Sequence, residues 1–585
     1  MIYKKTISHL SGALLLAVLP MAVAHGDSES MDSMKMGMGM AHGSNTTQPP
    51  KNNDYPDTYF AHTEHSGVIY THIALMVLSW VFILPVAVML SLACSRFTLP
   101  AQFVFLASNA LGVLVGVVYN SQTPDLYPNN AHHKIGWIVT WVVCAQVLIS
   151  AVGYIAGALN GNSSKSSSKE SHSFLPVATR DTDFSSHCSY HDDSPYRISS
   201  DSGRCAEPNS PSSFQSDSVS TLNGMESPPQ PPRKEYEDDE DLEELSLSSP
   251  APQGTSARYA SKVANSRMWK YLDIVRKVVD RIILPFGSIA LATGVATFGR
   301  FFEGSGIFNG LAHWIKGGVF FWLGIFTLGR WSGSFGELGW AWNVRPKKDL
   351  QKWRPSAEFV ESFLIFFYGS TNIFMEHLGG WGGAWTAQDM EHISITVLFL
   401  GGGLCGMLIE STRIRNLLNT TVEEVEPKHP HAIEEANGIE APDTYEFSLN
   451  PIPALVIMLL GLMMSSHTQH TMMSSMVHKQ WGNLLLGASL ARGLTYVLMF
   501  LKPPKSILPS RPPTELLASF GLISGGIIFM ASSTDTVDGM IHYGLDAMFM
   551  YTVTMGLVGL LMAWIVIVLA IKGWAVRLER RRISK

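Results

Sequence analysis

The sequence is short of charge and of cysteine. Only 15% of its 585 residues are Asp, Glu, Lys or Arg, where a soluble domain carries roughly 25%. Such a chain cannot cover its own surface with charge, which excludes an ordinary soluble protein. Its 42 basic residues are outnumbered by 48 acidic ones and form no basic stripe, so it is no nucleic-acid binder. Five cysteines in this length cannot frame a disulfide scaffold. No hydrolase nucleophile constellation, phosphate-binding loop or dinucleotide fingerprint is present. What is plentiful is apolar, at 46% of residues. The chain reads as an all-α integral membrane protein.

Its first residues read as an address. Lys4 and Lys5 precede an apolar run at 12–23, and Ala22-Val23-Ala24 fits a small-residue cleavage site, so 1–24 is a signal peptide. Residues 25–67 then form a lumenal or extracellular tail rich in Met and His, too polar and repetitive to build a core. Asn45-Thr46-Thr47 within it is a glycosylation sequon on the side where it can be used. The chain belongs in a membrane of the secretory pathway or the plasma membrane.

A span needs about 20 largely apolar residues, and about eleven such runs occur. They lie at 68–93, 101–119, 134–157, 281–299, 311–330, 357–375, 392–411, 451–466, 481–501, 515–533 and 546–571. With the mature N-terminus outside, the loops at 331–356, 412–450 and 502–514 and the basic tail 573–585 fall in the cytosol. These carry most of the loop lysines and arginines, as the positive-inside rule requires. Residues 158–267 are Ser-rich and acidic and lack any apolar period, so they read as a disordered cytosolic linker. Within it, the stretch from Pro228 to Arg233 fits P-x-x-P-x-R, a ligand for an SH3-type partner.

Two residue sets carry chemistry. His72 stands near the outer end of the first span, and His132 and His133 near the outer end of the third. The two spans run in the same direction, so His72 and His132 share a depth and can face each other as the axial ligands of one haem b. Histidines at headgroup level that bond lipid or water are the plain alternative. The second set gathers on the outer face of the C-terminal half: His467, His470, Met472, Met473, Met476 and His478, with His392 nearby. The tail adds His25, Met34, Met36, Met38, Met40 and His42. Thioether beside imidazole suits copper, with zinc as the rival for the histidines and for Glu376, Glu391, Asp535 and Asp538. The plain alternative is that methionine, with 27 copies in the chain, only fills space.

Three resemblances follow from these residues. His72, Leu75, Met76, Trp80, Leu84 and Pro85 resemble the first core helix of the cytochrome b-561 and ferric-reductase family, and His132, Gly136 and Gln146 resemble its third. That likeness implies a four-helix unit made of 68–157 and 268–300, with haem between its first and third helices. The family's second pair is missing here: Phe105 stands at about the second-helix histidine, Asn109 stands where Gln is usual, and 281–299 holds no histidine. One haem on the outer side is therefore expected. From 309 to 572 the FFWLG segment, Glu361, Glu391-His392 and the histidines ending at His478 resemble the seven-helix TMEM-type proteins. Taken whole, the layout resembles the fungal Ytp-type membrane proteins.

Three functions stay open. The first is a b-type haem protein passing electrons from a donor at the outer face, linked to copper or iron reduction. The second is a copper or zinc binder or transporter without haem. The third is a structural or regulatory membrane protein acting through its linker.

Overall fold

A computed structural model describes residues 55–164, 267–304, 307–346, 355–372, 385, 387–423, 442–466 and 469–584. The signal peptide, His25 to His42, Asn45, most of the linker with Pro228–Arg233, Glu376 and His467 lie outside these residues. The described chain is helical, with no β-strand among the described residues.

The helices are α1 (Ser66–Leu92), α2 (Thr98–Gln122), α3 (Ala131–Ser164) and α4 (Arg267–Gly299), then α5 (Ile307–Ser332), α6 (Ala357–Asn372) and α7 (Ala387–Glu410). There follow α8 (Thr412–Glu423), α9 (Ile452–Ser466), α10 (Met472–Leu501), α11 (Thr514–Ala531), α12 (Thr534–His542) and α13 (Ala547–Ile583). All eleven expected runs are helices. Among the described residues nine helices are long and apolar enough to cross a membrane. The other two, α6 and α9, have 16 and 15 residues. At 1.5 Å per residue they reach roughly 22–24 Å, short of a hydrocarbon layer of about 30 Å. The end of the bundle that carries His72 is called the top below.

The first four helices pack as α1 on α2 and α3 on α4 around Trp80, Phe105, Val139, Val143 and Ile283. Within α1, residues Leu78–Ile83 form a π-helical bulge. Pro85, four residues after Val81, has no N–H for the Val81 carbonyl, and Trp564 Nε1 of α13 donates to that carbonyl across 2.8 Å. At the bottom Ser95 Oγ and Arg96 N donate to Glu579. The last helix thus binds the first.

In the second half α11 is central, with 72% of its apolar window buried, whereas most other spans leave two thirds or more of theirs facing outward. It packs against α5 and α10, α10 packs on α9, and α6 on α7. Trp481 stacks on Phe529 at 4.0 Å in a core with Val456, Val477, Leu485 and Ile528. Lipid tails are as apolar as leucine, so helices in a membrane associate through close backbone approach at small residues. That rule holds here. A Cβ on Gly317 would lie 2.5 Å from the Gly526 carbonyl and 2.8 Å from Met530 N, and one on Gly461 would lie 2.6 Å from the Gly482 carbonyl.

The two faces of one helix therefore respond differently to a methyl group. Gly317→Ala meets backbone that cannot yield, and a destabilisation of about 1–3 kcal/mol is expected. Gly318→Ala meets nothing within 4 Å and gains helix propensity of up to about 1 kcal/mol. Thermal unfolding of the two variants in detergent checks this contrast.

Candidate functional site

His72 and His132 face each other near the top of the first four helices, with ring centroids 6.3 Å apart and planes at 81°. Their tautomers follow from their partners. His72 Nδ1 lies 2.8 Å from the Gly112 carbonyl of α2. A carbonyl only accepts, so Nδ1 holds the proton and Nε2 the lone pair. His132 Nδ1 lies 3.4 Å from Thr293 Oγ1 of α4. That hydroxyl donates to the Ala290 carbonyl at 2.9 Å, so its oxygen accepts from Nδ1–H. Both imidazoles therefore keep their lone pair at Nε2.

Glycines make room for the pair. A Cβ on Gly116 would come 2.7 Å from His72 Nδ1, and one on Gly294 would come 3.0 Å from His132 Cε1. His133, by contrast, is exposed. Beneath the pair the bundle is filled. Trp80 and Phe105 meet edge to face at 5.2 Å. Trp80 Nε1 donates to Asn109 Oδ1 at 2.9 Å, and Asn109 Nδ2 to Thr140 Oγ1 at 3.3 Å. Lower still, Asp280 accepts from Gln146 at 2.5 Å and from Ser91 at 2.9 Å, and pairs with Arg276 at 3.2 Å. Phe105 and Asn109, the departures from the b-561 pattern, belong to this plug.

The soft-ligand set is spread out. His470, Met472 and Met476 are exposed, and His392 is half-buried. Met473 packs on the core. His478 turns inward, 4% exposed, with its Nδ1 2.9 Å from the Ser474 carbonyl and its ring 5.9 Å from those of His313 and Trp481. Among the described residues no three His, Cys, Asp or Glu side chains come together to hold a metal ion. Asp535 has a structural partner: it accepts the Phe302 N–H at 2.5 Å, tying the turn after α4 to α12. Beside it Tyr55 stacks on His542 at 4.2 Å.

A second polar centre lies at the bottom of the other half. Arg330 of α5 pairs with Glu358 at 2.8 Å and Glu361 at 3.2 Å, both of α6. Arg492 of α10 pairs with Glu361 at 3.5 Å and with Glu515 of α11 at 2.8 Å. None of these side chains is more than 10% exposed. Reading the sequence singled out only Glu361, by resemblance. The available signals were ionisable residues near the ends of apolar runs, which taken singly read as ordinary headgroup contacts, and Arg492 in the middle of the run 481–501, which does not.

Long apolar helices, outward-facing leucines and internally satisfied polar groups define a multi-pass, all-α membrane protein. Residues 286–573 match the family described as protein YTP1-like, C-terminal, and a membrane protein of Schizosaccharomyces pombe, itself named uncharacterized, is 33% identical over 519 residues, 87% of this chain and 94% of its own length. The chain belongs to this YTP1-like family of fungal membrane proteins. Residues 53–156 match a domain of unknown function. An uncharacterized membrane protein of Saccharomyces cerevisiae is 42% identical over 306 residues, covering 50% of this chain and 47% of its own. Protein YTP1 of the same yeast is 24% identical over 191 residues, 33% and 34% of the two chains. No solved structure matches.

The Asp535 contact carries a pH signature. Burial, then the charges of Asp538 and Glu303, hold its carboxyl above the usual value of 3.8, against the opposing pull of the Phe302 N–H. The folded state thus binds this proton more tightly than the unfolded state, so stability falls as pH rises above 3.8 toward the raised value. Asp535→Asn keeps an oxygen for Phe302 N–H and removes the charge. Its thermal midpoint is expected to fall less between acid and neutral pH than that of the wild type, in melts recorded across that range.

Proposed function

We propose that the chain is a b-type haem membrane protein that handles electrons at its top face, with His72 and His132 as the axial ligands of a single haem. The observation that carries this reading is the paired imidazoles, both with Nδ1–H committed and both seated against glycine. The two ring centroids stand 6.3 Å apart, so His72 and His132 would hold one metal centre between them. A carbonyl partner on the second ring nitrogen is the arrangement that orients metal-bound histidine and raises its basicity.

Haem, when bound, supplies one-electron chemistry. The chain's own residues do the rest. The Gly112 carbonyl and Thr293 fix the two rings, and Gly116 and Gly294 leave them space. Trp80, Phe105 and Asn109 keep water from entering below. With that plug in place of a second pair, one haem cannot span a layer of about 30 Å, so donor and acceptor meet the same face. A copper or iron ion is the acceptor proposed, because the Met/His tail at 25–42 precedes Tyr55, which stands at the top.

Protein purified after haem-replete expression is expected to show one Soret-absorbing haem per chain. His72→Ala or His132→Ala should abolish it, His133→Ala should retain it, and Gly116→Val should lose it by displacing His72. A folded wild type with no Soret band, or with two haems per chain, would overturn the proposal.

A further inference from the structure

The Arg330, Glu358, Glu361, Arg492 and Glu515 centre holds one more carboxylate than it has guanidinium groups. Arginine does not lose its proton in proteins. With all three glutamates ionised, a site whose side chains are at most 10% exposed would hold a net negative charge in hydrocarbon surroundings. Uncompensated buried charge is among the costliest features a fold can carry. One further positive charge would balance the described residues, and a water-sized cavity gives it a place.

That place is beside Glu361. A cavity with about 20 Å³ of room for a water centre is lined by Glu361, Arg492, Ser489, Leu323, Ile457 and Leu522, among others. This is space for roughly one water. Glu358 accepts a hydrogen bond from Arg330 at 2.8 Å, whereas Arg492 Nε and Glu515 Oε1 stand 2.8 Å apart as an ion pair without one. Glu361 is held more loosely, at 3.2 and 3.5 Å, and shared between both arginines. Further polar atoms here are left over, Arg492 Nε among them. The Tyr496 hydroxyl, on a residue 6% exposed, has no hydrogen-bond partner, and its ring packs on Trp342, over which both Arg330 and Arg492 lie. The two carboxylate oxygens of Glu515, on a fully buried residue, have none either. These point to a small polar guest at the centre.

We infer that this centre is a proton-binding site, with Glu361 carrying one exchangeable proton that reaches it through the water-sized cavity. The groups facing Glu361 are Arg330 from α5, Glu358 from its own helix, Arg492 and Tyr496 from α10 and Glu515 from α11. The neighbouring Glu410 of α7 is held separately by Ser356 and Ser448, both at 2.6 Å. Charge counting makes the inference sharp. Three carboxylates and two guanidinium groups take one proton, whereas two and two take none. The rings and residues of the haem proposal play no part in it.

Infrared spectra of the purified full chain, in H2O and D2O at neutral pH, test this. The wild type is expected to show one protonated-carboxyl stretch that shifts on deuteration. Glu361→Gln should abolish it and leave the melting temperature unchanged, because a neutral amide replaces a neutral acid. Glu515→Gln should abolish it too, by removing the excess carboxylate, and so serves if Glu361→Gln does not fold. Glu410→Gln should retain it. A wild type with no such band, with a melting temperature that rises when sodium replaces choline, would mean a metal cation in place of the proton and would overturn the inference. A band lost only in Glu410→Gln, or surviving both other variants, would overturn it as well.

Discussion

Hydrocarbon offers no hydrogen-bond partner, and every other feature of this fold answers to that fact. A polar side chain inside a span must find its complement on another helix, so each polar residue selects a neighbour. Asp280 selects Gln146 and Ser91. Asn109 selects Trp80 and Thr140. Asn372 selects Thr396, and Asn450 the Gly406 carbonyl. Arg330 reaches two glutamates of α6 and also donates to the Trp340 carbonyl at 2.7 Å. Apolar packing in lipid has little power to choose one arrangement over another, so these few pairs fix which helix lies beside which.

Close contact then fills in what the polar pairs specify. Gly317 with Gly526, Gly461 with Gly482, and Gly403 with Phe366 bring backbones within reach of one another. The same residue type does a different job near His72 and His132, where glycine leaves a volume for an imidazole. The two halves are joined along α1 and α13, where Trp564 donates to Val81 and Glu579 accepts from the turn after α1, and at the top by Asp535 with Phe302 and Thr58 with Tyr543.

Much of this was legible in the sequence. Eleven apolar runs gave eleven helices, because length and hydropathy are local properties. His72 and His132 were legible as a pair because two parallel spans place equal offsets at equal depth. The reading was weaker wherever a residue's meaning depends on a distant partner. Gly116 and Gly294 look like any other small residues until the imidazoles beside them are known. Arg330, Glu358 and Glu515 sit near the ends of separate runs, where a charge needs no explanation, while Arg492 stands in the middle of 481–501. Only the fold brings them to one point. His478 illustrates the reverse case: its neighbours in sequence are exposed methionines, but helical phase turns it toward Trp481 and the interior.

The bulge in α1 has a consequence in time as well as in space. The Val81 carbonyl within it, which Pro85 cannot serve for want of an N–H, is met by an indole 483 positions later in the chain. During synthesis the first span enters the bilayer with that group unanswered, and it stays so until α13 emerges. A contact of such sequence separation is slow to form and leaves an early span incompletely docked while the rest is made. The first helix thus completes its contacts only once the last is made, and a nascent chain halted before Trp564 would leave the Val81 carbonyl without this donor.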